Sequence, residues 1–320
     1  MSNFYARLRK KRDDDEGLSD CIERVVNQLD NNSTTNDRPG MLLGKIQSGK
    51  TRGFVGTIAR AFDRDFDIAL VLTKGTKTLS EQTVVRLNAD FKEFIDEDEL
   101  LVHDIMKLPD NLTRSELKRK IVIVAKKQVQ NLSRLINFID DHPELKNRRV
   151  LLIDDEADLA SIRFVHKQGE PDIEQGKIAE QVDHLRRMVK GIAFLQVTAT
   201  PYSLYLQPED YEEAAAGDYV FKPKKPAFTE LLPIHGGYVG GDDYFGGYGE
   251  DNPRHYLVVN VSSEEQDALR RPDKRRIKAD AVLENPNTTG ICRAIITFII
   301  AVCVRQWQQE ELGEKKVNTR

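Results

Sequence analysis

From Pro39 onward, short and continuously apolar runs alternate with longer stretches of helical periodicity. The runs lie at 41–43, 68–72, 121–124, 150–153 and 192–197, with 101–103 as a weaker sixth. Between them, residues 78–95 set Leu79, Val84, Leu87, Phe91 and Phe94 near helical spacing, the mark of an amphipathic helix. Strands apolar at every position, rather than at every second one, imply a parallel sheet covered on both faces. The expectation is an α/β doubly wound parallel sheet flanked by helices over residues 39–205.

The flanks read differently. Residues 1–38 hold a basic run (Arg7, Arg9, Lys10, Lys11, Arg12), then the acidic residues 13–16, then a short helix through Ile22, Val25, Val26 and Leu29. Charge blocks of this kind predict a solvated arm, and the polar stretch 31–38 predicts a linker. After Pro201 the alternation stops, so 206–320 is expected to form a second, partial α+β region. It contains seven glycines interleaved with tyrosine and phenylalanine at 236–249, a strand at 256–261 and a polar helix from Ser262. A strongly apolar helix at 289–308 closes it. That helix is expected to be mostly buried, with Cys292 and Cys303 as buried thiols on nearly one face.

Composition narrows the class. With 39% apolar and 31% charged residues in 320, the chain can bury a core; a disordered chain, a collagen-like fibre and a disulfide miniprotein are excluded. Three cysteines without CxxC spacing fit a reducing compartment and no structural zinc. The N-terminus has no apolar signal region, and the longest apolar run, 294–304, is short of a bilayer span. A cytoplasmic protein with no membrane partner is expected. The net charge of −4 argues against holding nucleic acid by bulk electrostatics.

Three motifs carry chemistry. Residues 44–51, GKIQSGKT, complete a GxxxxGK(S/T) pattern between an apolar strand and a helix. In that pattern glycines let backbone N–H groups face phosphate oxygens at a helix N-terminus, the lysine sets a charge on the β/γ-phosphates, and the hydroxyl can ligate Mg²⁺. The candidate ATP-phosphate residues are Gly44, Gln47, Ser48, Gly49, Lys50, Thr51 and Arg52. The run 150–158, VLLIDDEAD, ends a buried strand in carboxylates. Asp154 and Asp155 point to opposite faces if the strand continues, so one of them can face a metal; Asp155 is preferred, with Thr51 as its Mg²⁺ partner and Glu156 as general base. Asp158 completes DEAD. Residues 196–201, QVTATP, place Thr198 and Thr200 where hydroxyls can reach the acidic motif and couple it to movement.

In this order the motifs, with residues 72–79 (LTKGTKTL) and Gln82, resemble the first, RecA-like motor domain of superfamily 2 helicases and translocases across about 40–201. That resemblance implies ATP·Mg²⁺-dependent hydrolysis and a nucleic-acid backbone contact through Lys74, Thr76 and Lys77. In wording, GKIQSGKT, LLIDDEADLASI and QVTATPYS are similar to bacterial helicase-like proteins carrying the Z-one domain, named as an endonuclease domain. Residues 232–241, Tyr244, Phe245 and 293–296 fit the start of that domain. The likeness implies DNA as a weakly and sequence-independently bound partner and a role in restriction or antiphage defence, with a defence-system protein as a possible partner.

Two departures qualify it. No QxxGRxxR is readable, so no arginine finger is assignable, and a fragment of a longer chain with a second motor lobe is expected. Restriction-type ExK spacing and an HNH pattern are both missing. The alternatives are an ATP-dependent endonuclease subunit, or a nucleotide-switched assembly module with negligible hydrolysis alone.

Overall fold

Each of the six apolar runs forms a strand: β1 (Gly40–Leu43), β2 (Ile68–Thr73), β3 (Leu100–Asp104), β4 (Lys120–Lys126), β5 (Val150–Asp155) and β6 (Ala193–Thr198). The structure is a computed structural model that describes residues 3–32, 34, 38–45, 48–74, 77–109, 111–157, 173–189, 191–200, 213–214, 220–221, 226–241, 243, 260–270 and 279–313. Residues 256–259 of the predicted strand at 256–261, and residues 242 and 244–249 of the glycine-rich 236–249, lie outside them. The chain divides into two compact units, Met1–Tyr238 and Val239–Arg320.

In the first unit the strands build one seven-stranded sheet in the order β3-β4-β2-β5-β6-β1-β9, with β9 at Phe228–Leu231. Every pairing in it is parallel. The fold is therefore α/β and doubly wound. A separate two-residue ladder joins β7 (Glu213–Ala214) to β8 (Val220–Phe221). Strand β9 lies beyond the boundary expected at 205/206, so sheet stands on both sides of it. Its residues FTEL alternate half-buried and exposed, the texture of a short edge strand, and give no apolar run.

Alternate residues of each strand feed two cores. Leu151, Ile153, Ala69, Val71, Leu195 and Val197 pack with helices α1 (Phe4–Arg12), α2 (Glu16–Asn31), α3 (Lys50–Asp63), α4 (Lys77–Asp90) and α5 (Lys92–Asp96). Leu70, Leu72, Ile121, Ile123, Leu152 and Phe194 pack with α6 (Val129–Asp141) and α7 (Ile173–Met188). The expected helix at 78–95 is broken at Phe91, between α4 and α5.

The N-terminal segment is not a solvated arm. Phe4, Tyr5, Leu8, Cys21, Ile22 and Val25 are buried against α3. The Phe4 ring lies 4.6 Å from that of Phe94, and Asp63 accepts the backbone N–H groups of Phe4 and Tyr5 at 2.7 and 3.0 Å. Asp63 thus satisfies two donors that the first turn of α1 leaves free. The basic run turns to protein rather than water: Arg7 meets Glu93, Glu97 and Glu99, Lys11 donates to the Asp90 carbonyl, and Arg12 is buried beside Asp14. Gly56 is the close-approach point, since a methyl there would overlap Ile22 Cδ1.

In the second unit the expected apolar helix is present, at Thr289–Glu311, and Glu265 caps it by accepting the N–H groups of Gly290 and Ile291. It is not buried. Ile296, Phe298 and Trp307 are 57, 70 and 61% exposed, Cys303 is exposed and Cys292 half-buried. The other described α-helices of this unit are short, Ser263–Leu269 and Ala279–Leu283. The apolar character also extends past 294–304: the segment Pro286–Glu311 is long and apolar enough to cross a membrane by length and composition, a test that core helices of soluble proteins also pass.

If α2 belongs to the core of the first unit, Ile22→Ala should cost about 2–5 kcal/mol, the range for deleting a buried aliphatic side chain. Urea unfolding of the chain measures it. A loss below about 1 kcal/mol, inside the range of surface substitutions, would return the segment to the status of an arm.

Candidate functional site

The turn from β1 into α3 is set by two glycines. Gly49 holds φ 90°, a left-handed conformation open to glycine, and so swings the chain onto the first turn of α3 at Lys50. At Gly44 a methyl group would sit 2.8 Å from Lys50 Cγ and 2.9 Å from Ser48 Oγ. The turn therefore closes tightly on itself, and Lys50 Nζ reaches back to the Lys45 carbonyl at 3.4 Å. The Gly44 N–H donates to the Thr198 carbonyl at 3.1 Å, which ties the loop to the tip of β6. Ser48 Oγ is buried with no hydrogen-bond partner among the described residues.

Because the sheet is parallel, the ends of β2, β5 and β6 arrive at the same edge as this turn. Strand parity decides what faces it. Leu151 and Ile153 belong to the core that holds α3, so Asp155 stands on the α3 face. Val150 and Leu152 belong to the other core, and Asp154 stands with them. By the same count Thr73 faces α3, and its Oγ1 is likewise buried without a partner among the described residues.

Asp155 is crowded by negative charge. Burial first, then the neighbouring Glu156, push its carboxyl up to about 6; Lys127 and Lys50 pull the other way. The Glu156 N–H donates to Asp155 Oδ1 at 3.1 Å. Glu156 itself sits at φ 54°, left-handed for a residue other than glycine. Its Oε2 is screened from water and accepts no hydrogen bond from the described residues, while Lys74 Nζ stands 3.8 Å away. Two half-buried carboxylates are oxygen donors of the type that a hard divalent cation such as Mg²⁺ takes.

Among the other sequence candidates, Thr198 is buried and its Oγ1 accepts the Thr200 N–H at 3.0 Å. Arg52 is drawn away from the loop: its Nε donates to Asp14 at 2.6 Å. Lys77 opens α4. Gln47, Thr76 and Asp158 lie outside the described residues.

Two residues escaped the motifs. Arg86 on α4 donates to Thr51 Oγ1 at 3.2 Å. Lys127, immediately after β4, is buried and binds the tip of β5 from the α6 face. Its signal in the sequence is parity alone, since 121, 123 and 125 all point into that core.

These features define an α/β unit whose glycine turn, carboxylate pair and hydroxyl-bearing strand ends share one sheet edge. No family profile matches the chain, and no curated protein matches it. Solved structures with a similar fold include the DUF1998 helicase MrfA bound to DNA and AMPPNP, at 16% identity and TM-score 0.45, covering 73% of this chain and 29% of that one. MrfA alone gives 17%, 0.45, 73% and 33%. The Hef helicase domain of Pyrococcus furiosus gives 17%, 0.34, 56% and 32%. The chain thus spans about a third of the length of these proteins or less.

Asp155 holds its proton more tightly in the folded chain than in the unfolded one. Its contribution to stability is therefore lost as pH rises from the ordinary carboxylate range toward about 6. Asp155→Asn should raise the melting temperature of the nucleotide-free protein at pH 7 and leave it nearly unchanged at pH 4. Equal shifts at both pH values would contradict the burial of this charge.

Proposed function

We propose that the first unit binds ATP·Mg²⁺ and hydrolyses it as the motor lobe of a helicase-like DNA-processing enzyme. One observation carries the reading: Ser48 Oγ, Thr73 Oγ1 and Glu156 Oε2, all buried and without hydrogen-bond partners among the described residues, belong to the one edge that also bears the glycine turn. Leaving a buried polar atom unsatisfied costs about 1–3 kcal/mol. A polyphosphate with its cation is a ligand that would satisfy such a set.

In this proposal Lys50 and the amides of the turn, with Gly44, Gln47, Ser48 and Gly49, hold the β- and γ-phosphates. Arg52 braces the turn through Asp14. Thr51 and Asp155 would hold Mg²⁺, which when bound neutralises charge on the β/γ oxygens. Glu156 takes a proton from water as the water oxygen bonds to the γ-phosphorus. The bond to the β,γ-bridging oxygen breaks, leaving ADP and phosphate. Thr198, Thr200 and Asp158 link this edge to lobe movement. Lys74, Thr76 and Lys77 grip DNA phosphates weakly and without sequence preference, and a second lobe or partner supplies the arginine finger. The motif likeness to Z-one proteins extends the proposal to bacterial restriction or antiphage defence in the cytoplasm.

A second reading, a nucleotide switch that turns over little by itself, is favoured by the Lys74–Glu156 approach of 3.8 Å. An ammonium at that distance can hold the carboxylate away from the attacking water. DNA phosphates competing for Lys74 would release it.

Lys50→Ala should lose most ATP affinity in calorimetry, whereas Glu156→Gln should bind ATP·Mg²⁺ normally and lose turnover. Wild-type affinity in the lysine variant would refute the phosphate site; wild-type turnover in the glutamine variant would refute the general base. Lys74→Ala should raise turnover without DNA, and together with Lys77→Ala should weaken binding of single-stranded DNA while sparing ATP affinity. A salt slope of about 0.7 per phosphate contact on a single strand should stay shallow for one lobe. Unchanged basal turnover in Lys74→Ala would remove the switch reading.

A further inference from the structure

Lys127 has no place in the chemistry above, yet its ammonium is engaged to capacity. It donates to Asp154 Oδ1 at 2.8 Å and to the carbonyls of Asp155 and Glu156, each at 2.9 Å. Those three bonds use all its hydrogens. Both side chains of the pair are 4% exposed. They lie on the α6 face of the sheet, opposite the glycine turn, so Lys127 acts through the backbone of the β5 tip and does not face the nucleotide edge.

Stability does not account for such a pair. A buried ion pair is often matched or bettered by apolar residues of similar volume, and most of its surroundings are apolar: the register neighbour of Asp154 on β2 is Leu72 and on β6 the buried amide Gln196, and Leu152 and Phe194 line the same core. What the pair does hold is a turn that the chain would otherwise avoid. Glu156 at φ 54° holds a left-handed backbone that crowds its Cβ against the following carbonyl. Two clamps keep it there: Asp155 Oδ1 takes its N–H from the α3 face, and Lys127 takes its carbonyl from the other. The Lys127 N–H also donates to the Thr73 carbonyl at 2.9 Å, which ties the end of β2, and Lys74 after it, to the same point.

We infer that Lys127 is a positioning residue for hydrolysis: its bonds to Asp154 and to the carbonyls of Asp155 and Glu156 set the turn that aims the Glu156 carboxylate. This rests on the reading that Glu156 takes the proton from water. The Lys127–Asp154 pair is then the support of the acidic motif, and the acid preceding DEAD has its own use.

The test uses the full chain. Lys127→Met alone would strand a buried carboxylate, so the informative variant is Lys127→Met with Asp154→Leu, which removes both charges at similar volume. It should unfold cooperatively in urea and bind ATP·Mg²⁺ with near wild-type affinity and KM. Its kcat should fall on the order of a hundredfold, the penalty for a misplacement of about 1 Å. Asp154→Asn, which keeps an acceptor for Lys127 and both carbonyl bonds, should keep turnover within a few-fold of wild type. Wild-type kcat in the double variant overturns the inference; so does its failure to fold, or a joint loss of ATP affinity and kcat, either of which assigns the pair to the structure. Glu156→Gln runs beside it: if that variant turns over normally, the hydrolysis reading itself fails, whatever Lys127 does.

Discussion

Parallel pairing is the constraint on which the site depends. Strands that all run one way end at one edge, so whatever follows each strand is collected there regardless of its distance along the chain. The glycine turn after β1, Lys74 after β2, Lys127 after β4, the carboxylates at the end of β5 and Thr198 at the end of β6 meet for this reason. The register supplies the rest. Leu43 pairs with Thr198 and Asp155 with Val197, which brings the three motif strands to their ends within a residue or two of each other.

The two faces of the sheet then divide labour. Thr73, Asp155 and the turn into α3 share one face, where buried oxygens lack protein partners. Asp154 and Lys127 share the other, where every ammonium hydrogen is satisfied. One residue of β5 therefore stands exposed to a ligand while its neighbour is locked into the scaffold. A buried carboxylate pushed up to about 6 is unfavourable for the empty protein, and that cost falls on the face that a cation would visit.

Much of this is legible in the sequence, for a physical reason. Strands buried on both faces must be apolar throughout, so all six show as runs, and glycine and lysine in the turn have no substitutes. What escaped depends on contacts that no local pattern carries. Phe4, Tyr5 and Leu8 are hidden among basic residues whose charges meet carboxylates and carbonyls of α4 and α5. Strand β9 alternates like any edge segment. Lys127 looks like a solvated lysine until the parity of β4 is known. For the helix Thr289–Glu311 the apolar surface is plain from the sequence, but nothing local says what covers it. The gap between Asp154 and Asp155 is a matter of one residue, and only the sorting of Leu151 and Leu152 into different cores places them on their faces.

The position of β1 has a consequence for how the chain is made. Strands β2 to β5 are neighbours in space and emerge together during synthesis, so half the sheet has its partners early. The loop strand β1 comes first from the ribosome but pairs with β6 and β9, which are among the last to appear. At roughly 5–20 residues per second, the strand that carries the glycine turn waits on the order of ten seconds for either neighbour. During that interval the nascent chain holds an unpaired apolar strand, β1, and later an open edge on β5, both prone to pairing with other chains. The edge that bears the glycine turn is thus the last part of the sheet to exist, and a chaperone that shields β1 would guard the whole unit.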